Sequence, residues 1–143
     1  MNKKSLTILT LLLATGLILL GCASQGSLAG LKGTSWKLIS YGPVGKQTPA
    51  AVGIETSLEF NAAGEVDGNL GCNSFSGNYV MKGGNVIFSQ IISTMMACLG
   101  PQMDQERLAL KVMNDMVRYQ VQGNTLVIYG ADGVNAITFS KEK

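Results

Sequence analysis

The sequence predicts a mainly β domain, a small antiparallel barrel or sandwich of about eight short strands with one α-helix inserted late in the chain. Three observations carry this expectation. Apolar and polar residues alternate in short runs, the period of a half-buried strand. Gly-containing turn signals recur between those runs. The period changes once, after Gly100-Pro101, to the spacing of an amphipathic helix.

The elements follow in order. Thr34 to Tyr41 alternates, with Trp36, Leu38 and Ser40 on one face, and Gly42 to Lys46 is a turn that opens a loop reaching Gly53. Ile54 to Phe60 sets Ile54, Thr56, Leu58 and Phe60 against Glu55, Ser57 and Glu59, a strict period of two. Asn61 to Gly64 turns the chain and Glu65 to Leu70 returns as the hairpin partner. Gly71 to Asn78 is rich in Gly, Asn and Ser, which reads as turn chemistry. Tyr79 to Lys82 and Val86 to Phe88 form a second hairpin across Gly83-Gly84-Asn85, where the Gly pair supplies positive φ.

A helix is expected from Gln102 to Val117. Leu110, Met113 and Val117 share its apolar face with Ala109, Val112 and Met116, while Gln105, Lys111, Asn114 and Asp115 lie elsewhere on the wheel. Pro101 suits the first turn, and Asp104 and Glu106 sit near the positive end of the dipole. Arg118 to Gln122, the turn Gly123-Asn124, Thr125 to Tyr129, the Asp132-Gly133 turn signal and Val134 to Ser140 complete the set. Lys141 to Lys143 is a tail. Trp36, Phe60, Phe75, Phe88 and Phe139 are large inward candidates, so the expectation is a barrel filled by side chains.

At 143 residues the chain holds one domain at most, and 46% hydrophobic content is enough for a packed core. The first residues stand apart. A basic start at Lys3 and Lys4 precedes an apolar run from Leu6 to Leu20, shorter than the about 20 residues a spanning helix needs. That pattern fits an export signal, against the alternative of an uncleaved membrane anchor. It ends in Leu19-Leu20-Gly21-Cys22, which resembles the lipobox of bacterial lipoproteins. The resemblance implies a signal peptide over 1–21, lipidation of Cys22, and attachment to a membrane through several acyl chains. Ala23 in place of Asp implies the periplasmic face of the outer membrane if the host is a diderm. Residues 22–32 then form a lipidated tether. Without Lys3 and Lys4 the chain carries 11 − 2 = 9 basic and 9 acidic residues, so it has no basic excess for nucleic acid.

The chemistry is sparse. The chain has no histidine, which excludes a Ser-His-Asp triad, and it holds no phosphate-binding loop or EF-hand loop. No cofactor and no metal are expected, since Cys72 and Cys98 are too far apart in sequence for a Cys-x-x-Cys motif and two thiols do not make a zinc site. With Cys22 acylated these two are the remaining thiols. In an oxidising exported compartment the simplest outcome is a disulfide, against the alternative of two buried free cysteines. Asn73, Ser74, Ser76, Ser93 and Thr94 either line a binding surface or satisfy a tight turn, and the turn is preferred. Met95 and Met96 either form an adaptable contact surface or fill core gaps, and the core is preferred.

Three segments taken together add a family resemblance. Gly33-Thr34-Ser35-Trp36-Lys37-Leu38, Gly71-Cys72-Asn73-Ser74-Phe75-Ser76-Gly77-Asn78-Tyr79, and Ser93-Thr94-Met95-Met96-Ala97-Cys98 with Glu106 resemble the META domain of HslJ-type bacterial heat-shock lipoproteins. The resemblance implies a domain over 33–140, a small β barrel of lipocalin-like topology with a helix, and paired positions for Cys72 and Cys98. It supplies no catalytic residues. The expected function is that of a non-enzymatic, lipid-anchored envelope protein, linked through its family to heat-shock response or antibiotic tolerance. Alternatives are a lipocalin-like carrier of a small apolar ligand and a protease-inhibitor-like module presenting the loop from Pro43 to Pro49.

Overall fold

The computed structural model describes residues 30–143. Its strands are β1 (Thr34–Pro43), β2 (Thr48–Pro49), β3 (Ser57–Phe60), β4 (Glu65–Asn69), β5 (Ser74–Lys82), β6 (Asn85–Ser93), β7 (Asp115–Gln122), β8 (Thr125–Tyr129) and β9 (Asn135–Lys141), with helix α1 (Pro101–Val112) between β6 and β7. The strands hydrogen-bond in the order β2-β1-β3-β4-β5-β6-β7-β8-β9, and β9 returns to β1. The two-residue β2 pairs only with Ser40 and Tyr41 of β1, so the other eight strands close an antiparallel barrel. Closure pairs Trp36 with Lys141 and Pro43 with Asn135, along nearly the whole of β1.

Alternation along each strand decides what faces inward. Trp36 and Leu38, Leu58 and Phe60, Val66, Phe75 and Tyr79, Val86 and Phe88, Val117, Leu126 and Ile128, and Ile137 and Phe139 make one continuous buried cluster. All five large inward candidates belong to it. Phe60 meets Tyr79 edge-on at 4.9 Å and lies 6.3 Å from Phe88, geometries that add about 0.5–1.5 kcal/mol per pair beyond area burial. The two polar tips are satisfied: Trp36 Nε1–H donates to Thr34 Oγ1 at 2.7 Å, and the Tyr79 hydroxyl donates to the Asn61 carbonyl at 2.8 Å. Burial pushes the Tyr79 phenol above its ordinary pKa. The interior is occupied by side chains.

The two barrel ends differ. One carries the hairpin turns at 61–64, 83–84 and 123–124 and both ends of the described chain. Leu31, expected in the tether, instead belongs to the core at this end, with its carbonyl accepting the Thr34 hydroxyl. The other end carries the β4–β5 turn, the segment from Thr94 to Gly100 and the β8–β9 turn, and α1 lies across it against β9 and β1.

Several boundaries differ from the sequence expectation. The helix runs Pro101–Val112 and not to Val117, because Met113 caps it with its N–H on the Ala109 carbonyl and Asp115 takes φ 66°. Met113 and Val117 are both buried, but Val117 is so as an inward residue of β7. Helical and strand periods coincide over that join. Met116 is exposed and Leu110 only half-buried. The strand expected from Ile54 begins at Ser57, since Thr56 Oγ1 is drawn off to accept the Leu38 N–H at 3.1 Å. β1 runs on to Pro43, β5 begins at Ser74 and β6 continues to Ser93, so most of the Ser- and Gly-rich run is strand and only 70–73 is turn.

At Gly71 the barrel backbone and the helix stand too close to admit a side chain. A Cβ there would stand 2.3 Å from the Gln102 carbonyl oxygen, which is backbone and cannot step aside. Gly71→Ala is expected to lower stability by about 2–4 kcal/mol. At Gly83 a Cβ meets nothing within 4 Å, so Gly83→Ala should cost only the about 1 kcal/mol of its left-handed backbone. Urea unfolding of both variants checks this, and equal losses would mean that the helix does not constrain Gly71.

Candidate functional site

The helix-capped end gathers the signature residues around one carboxylate. The β4–β5 turn is set locally by Asn69, whose Oδ1 accepts the Gly71 N–H at 2.9 Å. That turn aims two successive backbone donors at α1. Glu106 Oε2 accepts the Cys72 N–H at 2.6 Å and also the Asn73 N–H, while Oε1 accepts Asn73 Nδ2–H at 2.8 Å. Glu106 is only 5% exposed. The two ion pairs among the described residues lie elsewhere, at Lys37–Glu55 and Asp104–Arg107, so this carboxylate is neutralised by N–H dipoles and by no cation. Hydrogen bonds to a charged acceptor contribute about 1.5–3 kcal/mol each.

Asn73 passes the connection on. Its Oδ1 accepts the Met96 N–H at 2.7 Å and the Thr94 hydroxyl at 2.8 Å, and its Nδ2 also donates to the Met96 carbonyl at 3.2 Å. The side-chain amide thus pairs with Met96 as a neighbouring strand would, continuing the β5–β6 ladder past Thr94, whose N–H donates to the Ser74 carbonyl at 3.0 Å. Cys72 and Cys98 are joined in a disulfide with Cα atoms 6.0 Å apart. Gln105, fully buried beside Glu106, donates to the Leu70 carbonyl and accepts the Ala51 N–H, each at 2.7 Å. Every buried polar side-chain atom among the described residues has a partner.

The strap from Thr94 to Leu99 is therefore held from beneath while its apolar side chains point out. Met95 is 98% exposed and Leu99 93%, with Met96 more than half exposed and Ile92 68% exposed at the end of β6. This corrects the expectation that Met95 and Met96 fill the core: Asn73 takes the backbone of Met96, and the side chains are left outside. Ser74, Ser93 and Thr94 are exposed around them, and Asn73 is buried. Cys22 lies outside the described residues. With both oxygens of Glu106 engaged and every buried polar side-chain atom among the described residues paired, the arrangement works as a clamp that presents a surface.

Sequence reasoning missed Gln105, and gave Glu106 a dipole role and a place in the family resemblance but no hydrogen-bond partner. A signal was available, because Glu106, Ala109 and Met113 fall at spacings of three and four along the buried stripe. A carboxylate on an apolar helix face demands donors.

Two substitutions test the clamp. Glu106→Gln is close in shape, but its amide must turn one N–H toward a donor that already faces it, Asn73 Nδ2 or a backbone N–H. It is expected to cost about 2–4 kcal/mol in urea unfolding. The paired Cys72→Ser, Cys98→Ser variant closes no loop across a sequence separation of 26 and should lose about 3–4 kcal/mol by chain entropy. Limited proteolysis of that variant should cut first within Thr94–Leu99, and unchanged cleavage there would show that the disulfide does not hold the strap.

The family model of the META domain matches residues 29–143. An NMR structure of a protein from Burkholderia xenovorans superposes with a TM-score of 0.67 at 24% identity, covering 79% of this chain and 84% of that one. A second NMR structure gives a TM-score of 0.60 at 19% identity, over 76% and 88% of the two chains. A crystal structure of a DUF4847 family protein from Bacteroides vulgatus gives 0.56 at 14% identity, over 78% and 94%. These likenesses establish the fold alone. A search of curated proteins finds no match to the chain. The family match spans the whole described barrel, its helix and the clamp between them, and the chain belongs to the META domain family.

Proposed function

We propose that the protein is a non-enzymatic, lipid-anchored component of the cell envelope that binds a partner through the Thr94–Leu99 strap. The observation that carries this is a set of exposed apolar side chains on a backbone fixed by a disulfide and by Asn73. Large exposed apolar groups are a cost to a protein unless they meet something, and Met is suited to adaptable contact. Pre-fixing the strap also lowers the ordering entropy lost on binding. The packed interior weighs against the carrier of a small apolar ligand, which needs an unfilled barrel.

Anchoring at Cys22 fits the same picture. The described chain begins at the barrel end opposite the clamp, so a tether leaving there does not start beside the strap. In a diderm host that membrane is the outer one, on its periplasmic side. A role in heat-shock response or antibiotic tolerance follows from the family resemblance.

The test is complementation of a deletion strain under heat and antibiotic challenge. Met95→Asp with Leu99→Asp should leave melting within about 0.5 kcal/mol of the parent, since both sites are exposed, and should abolish rescue. Full rescue would overturn the strap as the binding surface. Palmitate labelling checks the anchor separately: Cys22→Ser should remove the label, and a labelled variant would move the attachment elsewhere.

A further inference from the structure

β6 is only partly enclosed by the barrel wall. Its pairing with β7 stops at Phe88 opposite Asp115, whereas its pairing with β5 continues to Ser93. β7 begins at Asp115 and reaches no further, and just past that point β6 bulges: Gln90 takes φ 54°, and the register against β5 shifts where Gly77 stands between Ser76 and Asn78. A Cβ at Gly77 would lie 2.5 Å from the Ile91 side chain, so the glycine lets β6 press onto β5 as it turns away from β7.

Past the bulge the backbone is extended and one-sided. Thr94 N–H points to β5, at the Ser74 carbonyl, and Met96 points the same way to the Asn73 amide. Backbone direction alternates along a strand, so the N–H and C=O groups of Ile91, Ser93 and Met95 face the open side. No strand pairs that side beyond Phe88, and the Met95 N–H has no acceptor among the described residues. Proteins normally guard such an edge with charged residues. Here no Asp, Glu, Lys or Arg occurs between Asp67 and Lys82 or between Lys82 and Asp104, so Lys82 at the far end of β5 is the one charge in β5, β6 and the strap.

We propose that the Ile91–Met95 edge is a strand-pairing site whose occupant is the same edge of a second copy. The edge is self-complementary. A two-fold axis at Ser93 sets Ser93 against Ser93 and Ile91 against Met95 of the other copy, and uses all three outward residues in one antiparallel ladder. It sets the exposed Ile92 opposite Thr94 and begins to cover Met95. Charge does not oppose it: residues 30–143 carry 9 Lys+Arg and 9 Asp+Glu, because Lys3 and Lys4 are the only charged residues before them. An interface this short is weak, and attachment of both copies to one membrane would raise their effective concentration.

Sedimentation equilibrium of the full exported chain in density-matched detergent, from about 10 μM to about 1 mM, reads the association directly. The expected result is a rise toward twice the monomer mass, with slower hydrogen exchange of the Ser93 and Met95 amides at high concentration. Ser93→Pro removes an outward N–H without removing a bond to β5, and should weaken association at least tenfold with unchanged melting. Ile92→Lys keeps the backbone intact and should do the same by charge repulsion across the axis, so a Pro variant that misfolds does not decide the matter. Val80→Lys, exposed elsewhere on β5, should have no effect. A monomer throughout the range overturns the proposal. So does a dimer insensitive to Ser93→Pro and Ile92→Lys, or an edge protected only when an extended peptide of another protein is added.

Discussion

One buried carboxylate governs the capped end of this barrel. Glu106 accepts two successive backbone N–H groups of the β4–β5 turn and the amide of Asn73. The two backbone donors would otherwise be buried without a partner, a cost of about 1–3 kcal/mol apiece. The helix therefore does more than cover the barrel with Ala109, Val112 and Met113. It brings the acceptor that the turn needs, and the turn in turn requires Gly71 so that the helix can come close enough. Removing any one of the three leaves the other two mismatched.

From that carboxylate the constraint spreads outward through Asn73, and through Cys72 to its disulfide partner Cys98. The Asn73 amide uses both oxygen and nitrogen, bonding Glu106 on the buried side and the Met96 backbone on the exposed side. This explains why the strap is ordered although nearly all its side chains are outside. It also places Cys72 and Cys98 on adjacent backbones that the hydrogen bonds already position. The disulfide locks an arrangement that the clamp prepares.

The barrel was legible in the sequence because its signal is local. Strict alternation at Leu58-Glu59-Phe60 and the turn pair Gly123-Asn124 place strands without reference to anything distant, and the aromatic positions Trp36, Phe60 and Phe139 announce a filled interior. The capped end was not legible in the same way, because its residues are chosen for partners far along the chain. Asn73 and Ser74 look like turn formers until Met96 is set beside them. Met95 and Met96 look like core because hydropathy contains no information about which backbone is already occupied. The helix end was misplaced for a related reason: Met113 and Val117 satisfy a helical period and a strand period at once, and only the cap at Met113 separates them.

The open edge and the strap begin where β6 runs beyond β7. β7 begins at Asp115, opposite Phe88, because the chain before it is helix, so β7 offers β6 no partner past that point. The Gln90 bulge follows, Ile91–Met95 is left one-sided, and Met95, Met96 and Leu99 stand in solvent together. A barrel removes sheet edges by closure, so an edge that survives closure, uncharged and held rigid by a disulfide, runs against the usual protection of β proteins. Chain connectivity alone would tolerate a floppy loop at this point. The clamp instead spends a buried Glu, a buried Asn and a disulfide on fixing that backbone in an extended form, and an extended, uncharged, fixed backbone is a template for another strand.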